Sequence, residues 1–357
     1  MKPNLFDIQL DSKDGIYLAG QSVYGSLVVS VGQAIKLRRI VVKIGGQAHT
    51  GWVNKTSDVI YESNEELLNE QVDLTAYLSE ISDGQLLPAG LHTLPFRFSL
   101  PNHLPSSVHN EYFGWVRYTI MAIGTIATEK CAAGLLNLVK TAGSGADLST
   151  ERALVIRSVV PLAATNVRNK PISGQDRMEL VGCCCFCWRK RTRLAALVEL
   201  EHAGFLPGET MKIRLELTCC QQQKERQLEE AGPAVTRKRS TATRIPGGSK
   251  PVQLALYQRL HFVAQNRYEM ELHDTKQMDV CISATTIDLP KKPTVKVEDG
   301  QELAHYKEDV ELPLPASLPP TFQGPNALIE ISYILRFDTE QNIEIVLPIV
   351  IGSVENV

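Results

Sequence analysis

Two stretches far apart in the chain are written to one pattern. Tyr17-Leu18-Ala19-Gly20-Gln21-Ser22-Val23, continuing through Gly25, Leu27 and Val29, is echoed by Phe205-Leu206-Pro207-Gly208-Glu209-Thr210-Met211, continuing through Ile213, Leu215 and Leu217. A second pair follows in the same order. Leu100-Pro101-Asn102-His103-Leu104-Pro105, leading to Val116-Arg117-Tyr118, matches Leu314-Pro315-Ala316-Ser317-Leu318-Pro319, leading to Ile331-Ser332-Tyr333. Two markers recurring in order mean that one structural unit occurs twice. The spacing is too long for a solenoid repeat, so each copy is expected to be a whole domain. A chain of 357 residues suits two domains, each with its own core.

Within each half the dominant pattern is period-2 alternation. Phe6, Ile8 and Leu10 oppose Asp7, Gln9 and Asp11; Leu94, Phe96, Phe98 and Leu100 oppose Pro95, Arg97 and Ser99. Later, Met211, Ile213, Leu215 and Leu217 oppose Lys212, Arg214, Glu216 and Thr218, and Ile329 to Phe337 alternates likewise. One apolar and one wet face per strand is the pattern of antiparallel sheets packed face to face. The predicted class is all-β, with two tandem immunoglobulin-like β-sandwich domains. The first is expected over 1–165 with an insertion at 131–150, the linker over 166–176, and the second domain over 177–357. Residues 221–250, seven basic against three acidic, read as a mobile basic loop. Glu65 to Leu78, with Leu67, Leu68, Val72 and Leu74, suggests a short helix or helical turn, and the insertion has room for a helical turn at Leu135 to Val139.

The formal charge of −3 offers no global attraction to nucleic acid or membrane. The uncharged run Gly15 to Ile35 is interrupted by glycines and polar residues and alternates, which excludes a membrane helix. Asp7, Asp11 and Asp14 stand where a signal peptide would be basic, so a cytosolic protein with reduced cysteines is expected.

The markers, taken together, resemble the arrestin fold and in particular the arrestin-domain-containing (α-arrestin) family. The carrying residues are Tyr17 to Gly25, Leu91 to Pro101 with Leu104-Pro105 and Val116-Arg117-Tyr118, the turn Gly204 to Glu209, and the closing strand Leu347-Pro348-Ile349-Val350-Ile351-Gly352. The family's Pro-Trp-Lys-Phe-like run is replaced here by Cys131 to Thr150. C-terminal PPxY motifs, which in many members bind WW domains of HECT-type ubiquitin ligases, are not found: the sole Pro-Pro is Pro319-Pro320, followed by Thr321-Phe322. The chain is thus expected to be a short form without that tail. The resemblance implies a non-enzymatic cytosolic adaptor that binds cytosolic tails of membrane proteins for endocytosis, protein transport and ubiquitin-dependent sorting. It would associate peripherally with plasma membrane or endosome and reach ubiquitin ligases indirectly, through other α-arrestins. A retromer-type endosomal coat subunit, and a structural or assembly protein without a trafficking role, are the alternatives.

Candidate binding residues are the basic clusters Lys36, Arg38 and Arg39; Arg189, Lys190, Arg191 and Arg193; and Arg237, Lys238 and Arg239. Guanidinium forks suit acidic or phosphorylated tails and anionic lipid. Solvated loop and strand faces are the plainer reading of such runs. Cys183, Cys184, Cys185 and Cys187 invite two chemistries: acylation beside the following basic run, or a zinc site in which Cys184 and Cys187 join Cys219 and Cys220. Against zinc, Cys219 and Cys220 are adjacent strand residues that point to opposite faces. Buried thiols acting as small hydrophobes are the preferred reading. No G-x-S-x-G elbow, P-loop, H-E-x-x-H or dinucleotide fingerprint occurs, and the eight histidines show no metal-ligand spacing. No enzyme, no cofactor and no nucleic-acid partner are expected.

Overall fold

Alternation becomes strand almost everywhere. The computed structural model describes residues 3–77, 86–127, 147–184, 188–223, 240–242, 252–269, 271–287, 294–298, 301–339 and 342–353, nearly all of them β. The chain forms two compact units. The first comprises Met1–Val159 with His261–Lys276 and Gly324–Glu330; the second comprises Val160–Leu260, Gln277–Gln323 and Ile331–Val357.

The first unit contains β1 (Leu5–Leu10), β2 (Ile16–Leu18), β3 (Ser22–Val31), β4 (Ile35–Asn54) and β5 (Val59–Asp73). It continues with β6 (Leu86–Leu87), β7 (Gly90–Ser99), β8 (Val108–Asn110), β9 (Gly114–Ile126) and β10 (Asp147–Arg157). A three-stranded sheet runs β1-β3-β7, and a seven-stranded sheet runs β2-β10-β9-β4-β5, with β6 and β8 attached. Their apolar faces supply the core: Val23, Leu27 and Val29 of β3, Leu94, Phe96 and Phe98 of β7, Val42 and Ile44 of β4, and Tyr118 and Ile120 of β9 are all buried.

In the second unit a short helix, α1 (Leu162–Thr165), precedes β11 (Ile172–Cys184), β12 (Trp188–Leu200), β13 (Gly204–Phe205), β14 (Thr210–Gln223) and β15 (Ser240–Ala242). Then come β16 (Val252–Gln265), β17 (His273–Ile287), β18 (Thr294–Glu298), β19 (Gln301–Pro313), β20 (Ile329–Asp338) and β21 (Glu344–Ile351), of which His261–Gln265, His273–Lys276 and Ile329–Glu330 fall in the first unit. One sheet runs β11-β12-β14-β19-β18 with β15 attached, the other β13-β21-β20-β16-β17. Met211, Ile213, Leu215 and Leu217 of β14, and Ile329, Ile331, Tyr333, Leu335 and Phe337 of β20, form buried faces. The fold is a tandem β-sandwich.

The two repeated markers meet in space, and they meet the same way in both units. In the first, the Gln21 amide donates to the Leu18 carbonyl (3.1 Å) across a turn whose Gly20 has φ 81°. The Gln21 side chain turns back to accept from the Leu18 amide at 2.9 Å. In the second, Glu209 N–H reaches Leu206 O (3.2 Å), Gly208 has φ 88°, and the Glu209 carboxylate accepts from Leu206 N–H at 2.7 Å. Positive φ at the third position is what glycine permits in such a turn, and Pro207 presets the second position of the later copy. The Leu-Pro marker then clips on: Leu100 N–H donates to Gln21 O, and Leu314 N–H to Glu209 O, both at 2.8 Å. Finally, Tyr118 and Tyr333 donate their hydroxyls to the carbonyls of Pro105 (2.8 Å) and Pro319 (2.6 Å).

The helix expected near Glu65 is instead the second half of β5, and only Thr75–Tyr77 makes a helical turn. The register explains the misreading. Gly46 faces Leu68 and Gln47 faces Glu66, so Leu67 is the extra residue of a bulge. A bulge breaks the alternation and leaves two leucines side by side, which imitates helical spacing. Of the expected linker, Ile172–Asp176 is the start of β11, and Asp147–Thr150 of the expected insertion opens β10. Gln221–Gln223 and Ser240–Ala242 of the expected basic loop are strand; its remainder, and residues 131–146, lie outside the described residues.

Candidate functional site

Lys36, Arg38 and Arg39 lie at the start of β4. The register against β9 shifts between Leu37 and Arg39, so a bulge sits at Arg38. All three basic side chains are exposed, while Ile35, Leu37 and Ile40 are buried. A bulge re-aims side chains at a strand end, and here it presents two successive arginines to solvent. Arg39 is engaged: its Nε lies 3.3 Å from Asp73 Oδ2. Hydrogen bonds from Thr75, hydroxyl then amide, hold the Asp73 carboxyl below the usual carboxylate range, and Arg39 adds to this. Lys36 and Arg38 form no ion pair with any described residue. Among the described residues they have no counter-charge.

The second basic run is partly described. Arg189, Lys190 and Arg191 are placed on β12 opposite Cys183, Gly182 and Val181. Arg193 is exposed, its Nε 3.7 Å from Glu179 Oε1, so its charge is shared with a neighbour. Arg237, Lys238 and Arg239 lie outside the described residues, as do Cys185 and Cys187.

The register bears on the zinc reading. Cys184 pairs with Trp188, whereas Cys220 pairs with Arg193 and Cys219 with Leu194. Five residues along β12 amount to roughly 17 Å at the usual strand rise, while zinc–sulfur bonds are about 2.3 Å. Cys184 cannot share one ion with Cys219 and Cys220. Both of the latter are buried, and burial pushes the Cys220 thiol up, with Arg193 opposing. A raised pKa keeps a thiol protonated and inert. Among the described residues no group of three or more His, Cys, Asp or Glu is arranged to hold a metal ion.

The Pro-Pro dipeptide is built into the sandwich. Pro319 O accepts from Tyr333, Thr321 N–H donates to Ile351 O (2.8 Å), and Phe322 exchanges amide hydrogen bonds with Ile331. Its backbone is committed to strand contacts, so it is not displayed as a linear motif.

Sequence reasoning did not foresee a small pocket on the second unit, about 300 Å³ in volume, beside the repeated turn. Arg168, Glu201, His202, Glu209 and Lys212 bring both signs of charge to it, with Phe205 and Thr210. Arg168 is spent on Glu209 at 2.6 Å, and Glu201 offsets Lys212, so the pocket expresses no net preference. Its only advance signal was a basic residue in the expected linker.

The comparisons with known proteins decide the family. Residues 6–132 match the N-terminal domain model of arrestin (or S-antigen), and residues 190–356 match the C-terminal domain model. The chain belongs to the arrestin family. Its relatives place it with the α-arrestin type. Arrestin domain-containing protein 17 of Caenorhabditis elegans is 23% identical over 98% of this chain and 70% of its own length. Arrestin domain-containing protein 15 of the same organism is 25% identical over 87% of this chain and 69% of its own. Human arrestin domain-containing protein 4 is 24% identical over 59% of this chain and 47% of its own. The α-arrestin type is an adaptor family. Among the described residues of this α-arrestin, no helix is long and apolar enough to cross a membrane.

Proposed function

We propose that this α-arrestin is an adaptor that binds cytosolic segments of membrane proteins and commits them to endocytosis and ubiquitin-dependent sorting. It does so from the cytoplasm, at the periphery of plasma membrane or endosome. The observation that carries the reading is the β4 bulge, where Lys36 and Arg38 stand exposed with no ion pair among the described residues. Acidic or phosphorylated side chains of a tail would supply the missing counter-charges, and an arginine fork is well shaped for either. Any ubiquitin ligase would be reached through a second α-arrestin.

Proximity labelling in the native cell, with wild type and with the double variant Lys36→Glu/Arg38→Glu, tests this. The wild type is expected to mark transmembrane proteins together with endocytic machinery, and the variant to lose the transmembrane set. Labelling that is confined to coat subunits or cytoskeletal proteins, or that the variant leaves unchanged, overturns the proposal. Immunoprecipitation that recovers neither α-arrestins nor ligase removes the ligase link.

A further inference from the structure

An exposed strand edge is a template for pairing with another chain, and proteins guard such edges with charge, proline or brevity. The edges of this protein can be compared directly. β5 carries Glu62, Glu65, Glu66, Glu70 and Asp73; β11 carries Asp176, Arg177 and Glu179. β18 has Lys296 and Glu298, β1 has Asp7, and β7 has Pro95 and Arg97. β2 and β13 are three and two residues long. Among the described edges, the C-terminal half of β17 is the exception.

This strand closes the five-stranded sheet of the second unit, and its last eight residues, Val280-Cys281-Ile282-Ser283-Ala284-Thr285-Thr286-Ile287, include no charge, proline or glycine. Five of the eight are β-branched. The preceding charge, Asp279, is consumed within the sheet by a two-pronged contact from Arg259, both arms 2.9 Å. Cys281, Ala284 and Thr286 are exposed. Among the described residues no strand pairs on the outer side of this stretch.

We propose that this edge is a self-association surface, pairing antiparallel with the same edge of a second copy of the chain. A two-fold axis at Ser283 sets Val280 against Thr286, Cys281 against Thr285 and Ile282 against Ala284. Every opposed pair is then uncharged. This match of an uncharged edge to itself is what favours a second copy, since a charged tail would find no counter-charge here. The contact is isologous and closes at two subunits, joining the two sheets into one. The seam from Val280 to Thr286 is far shorter than the roughly 20–30 residues a side of a standard interface, so a reversible dimer is expected. The proposal does not depend on the cargo reading.

Sedimentation equilibrium of the full chain across a concentration series should show reversible doubling of mass. Ala284→Lys, at an exposed position, sets like charges close to the axis on one face and should leave only monomer; unchanged circular dichroism would certify its fold. A second measurement fixes the register. With Cys281→Ser as background, Ser283→Cys brings two sulfurs across the axis, within the Cα separation that a disulfide tolerates. Copper phenanthroline should cross-link it at least tenfold faster than the background alone or the off-axis Gln277→Cys. A chain that stays monomeric, an Ala284→Lys variant that dimerises like wild type, or Ser283→Cys cross-linking no faster than Gln277→Cys each overturns the proposal. The first of these leaves the edge to a heterologous strand.

Discussion

Tyr333 donates its hydroxyl to the carbonyl of Pro319 at 2.6 Å, fourteen residues upstream and in the same unit. Tyr118 does the same to Pro105 at 2.8 Å in the other unit. Both rings are almost wholly buried. Each phenol thus ties a core strand to the Leu-Pro segment and satisfies a carbonyl there, buried at Pro105 and part-buried at Pro319. Burial also holds the Tyr118 phenol far above its ordinary pKa, so it stays a donor at any working pH.

The two ties differ in one respect, and this yields a prediction. Tyr333 also accepts from the buried Gln258 amide at 2.9 Å. Tyr118→Phe strands one carbonyl, which costs about 1–2 kcal/mol, whereas Tyr333→Phe strands both a carbonyl and an amide donor and costs about 2–3 kcal/mol. Urea unfolding of the two variants, with equal m-values, should rank them in that order.

The repeated turn separates two roles of one side chain. Glu209 caps the Leu206 amide at 2.7 Å and holds Arg168 at 2.6 Å, whereas Gln21 performs only the first role. Glu209→Gln keeps the cap and loses a half-exposed ion pair, a change of under about 1 kcal/mol. Glu209→Ala loses both and costs about 2 kcal/mol. Gly208→Ala, which meets Ala316 only at 3.8 Å, isolates the backbone strain of φ 88° at about 1 kcal/mol. Thermal unfolding should place Glu209→Gln nearest wild type.

Why these joints were legible and others were not follows from what each demands. A left-handed turn position requires glycine, a preset turn favours proline, and a buried tie to a carbonyl needs a tyrosine, so Gly20, Gly208, Pro207, Tyr118 and Tyr333 wrote themselves into the pattern. The same holds for alternation, which depends on local geometry alone. Partnerships across long sequence distances leave no such trace. The indole of Trp52 donates to Asp274 at 2.9 Å inside the first unit, yet neither residue's neighbours announce the other. The bulges at Arg38 and Leu67 were invisible because register is a property of two strands, and the sequence displays one at a time. For the same reason the spacing of Cys184 from Cys219 and Cys220 could be judged only once β12 lay between them.

Acid should loosen the second unit through Asp279. Hydrogen bonds from Arg259 hold its carboxyl below the ordinary aspartate range, with burial opposing and further help from the Arg259 charge. A depressed carboxylate pKa contributes stability that is fully present above the unfolded-state value, near 4, and is lost as pH falls through the folded-state value. Stability should therefore decline below about pH 4. Arg259→Met should flatten that decline while lowering stability at neutral pH. Denaturant titrations at pH 7 and across the acid limb measure both; a wild-type slope in the variant would assign the acid sensitivity elsewhere.

Charge reversal at the β4 bulge should be silent for stability, which is what makes it a clean probe of binding. Lys36 and Arg38 are exposed and form no ion pair with a described residue, and exposed substitutions away from such contacts fall within about 0.5 kcal/mol of neutral. Arg39→Glu is different in kind. It opposes Asp73, whose carboxylate Thr75 already holds ionised, so two negative charges would face each other where a 3.3 Å ion pair stood. Differential scanning calorimetry is expected to show an unchanged Tm for Lys36→Glu/Arg38→Glu and a lower one for Arg39→Glu. Sodium chloride should narrow the gap, since the repulsion is between solvent-exposed groups and is screened. If the double variant melted as early as Arg39→Glu, the bulge would be holding the sheet together and its exposed cations would not be spare for a partner.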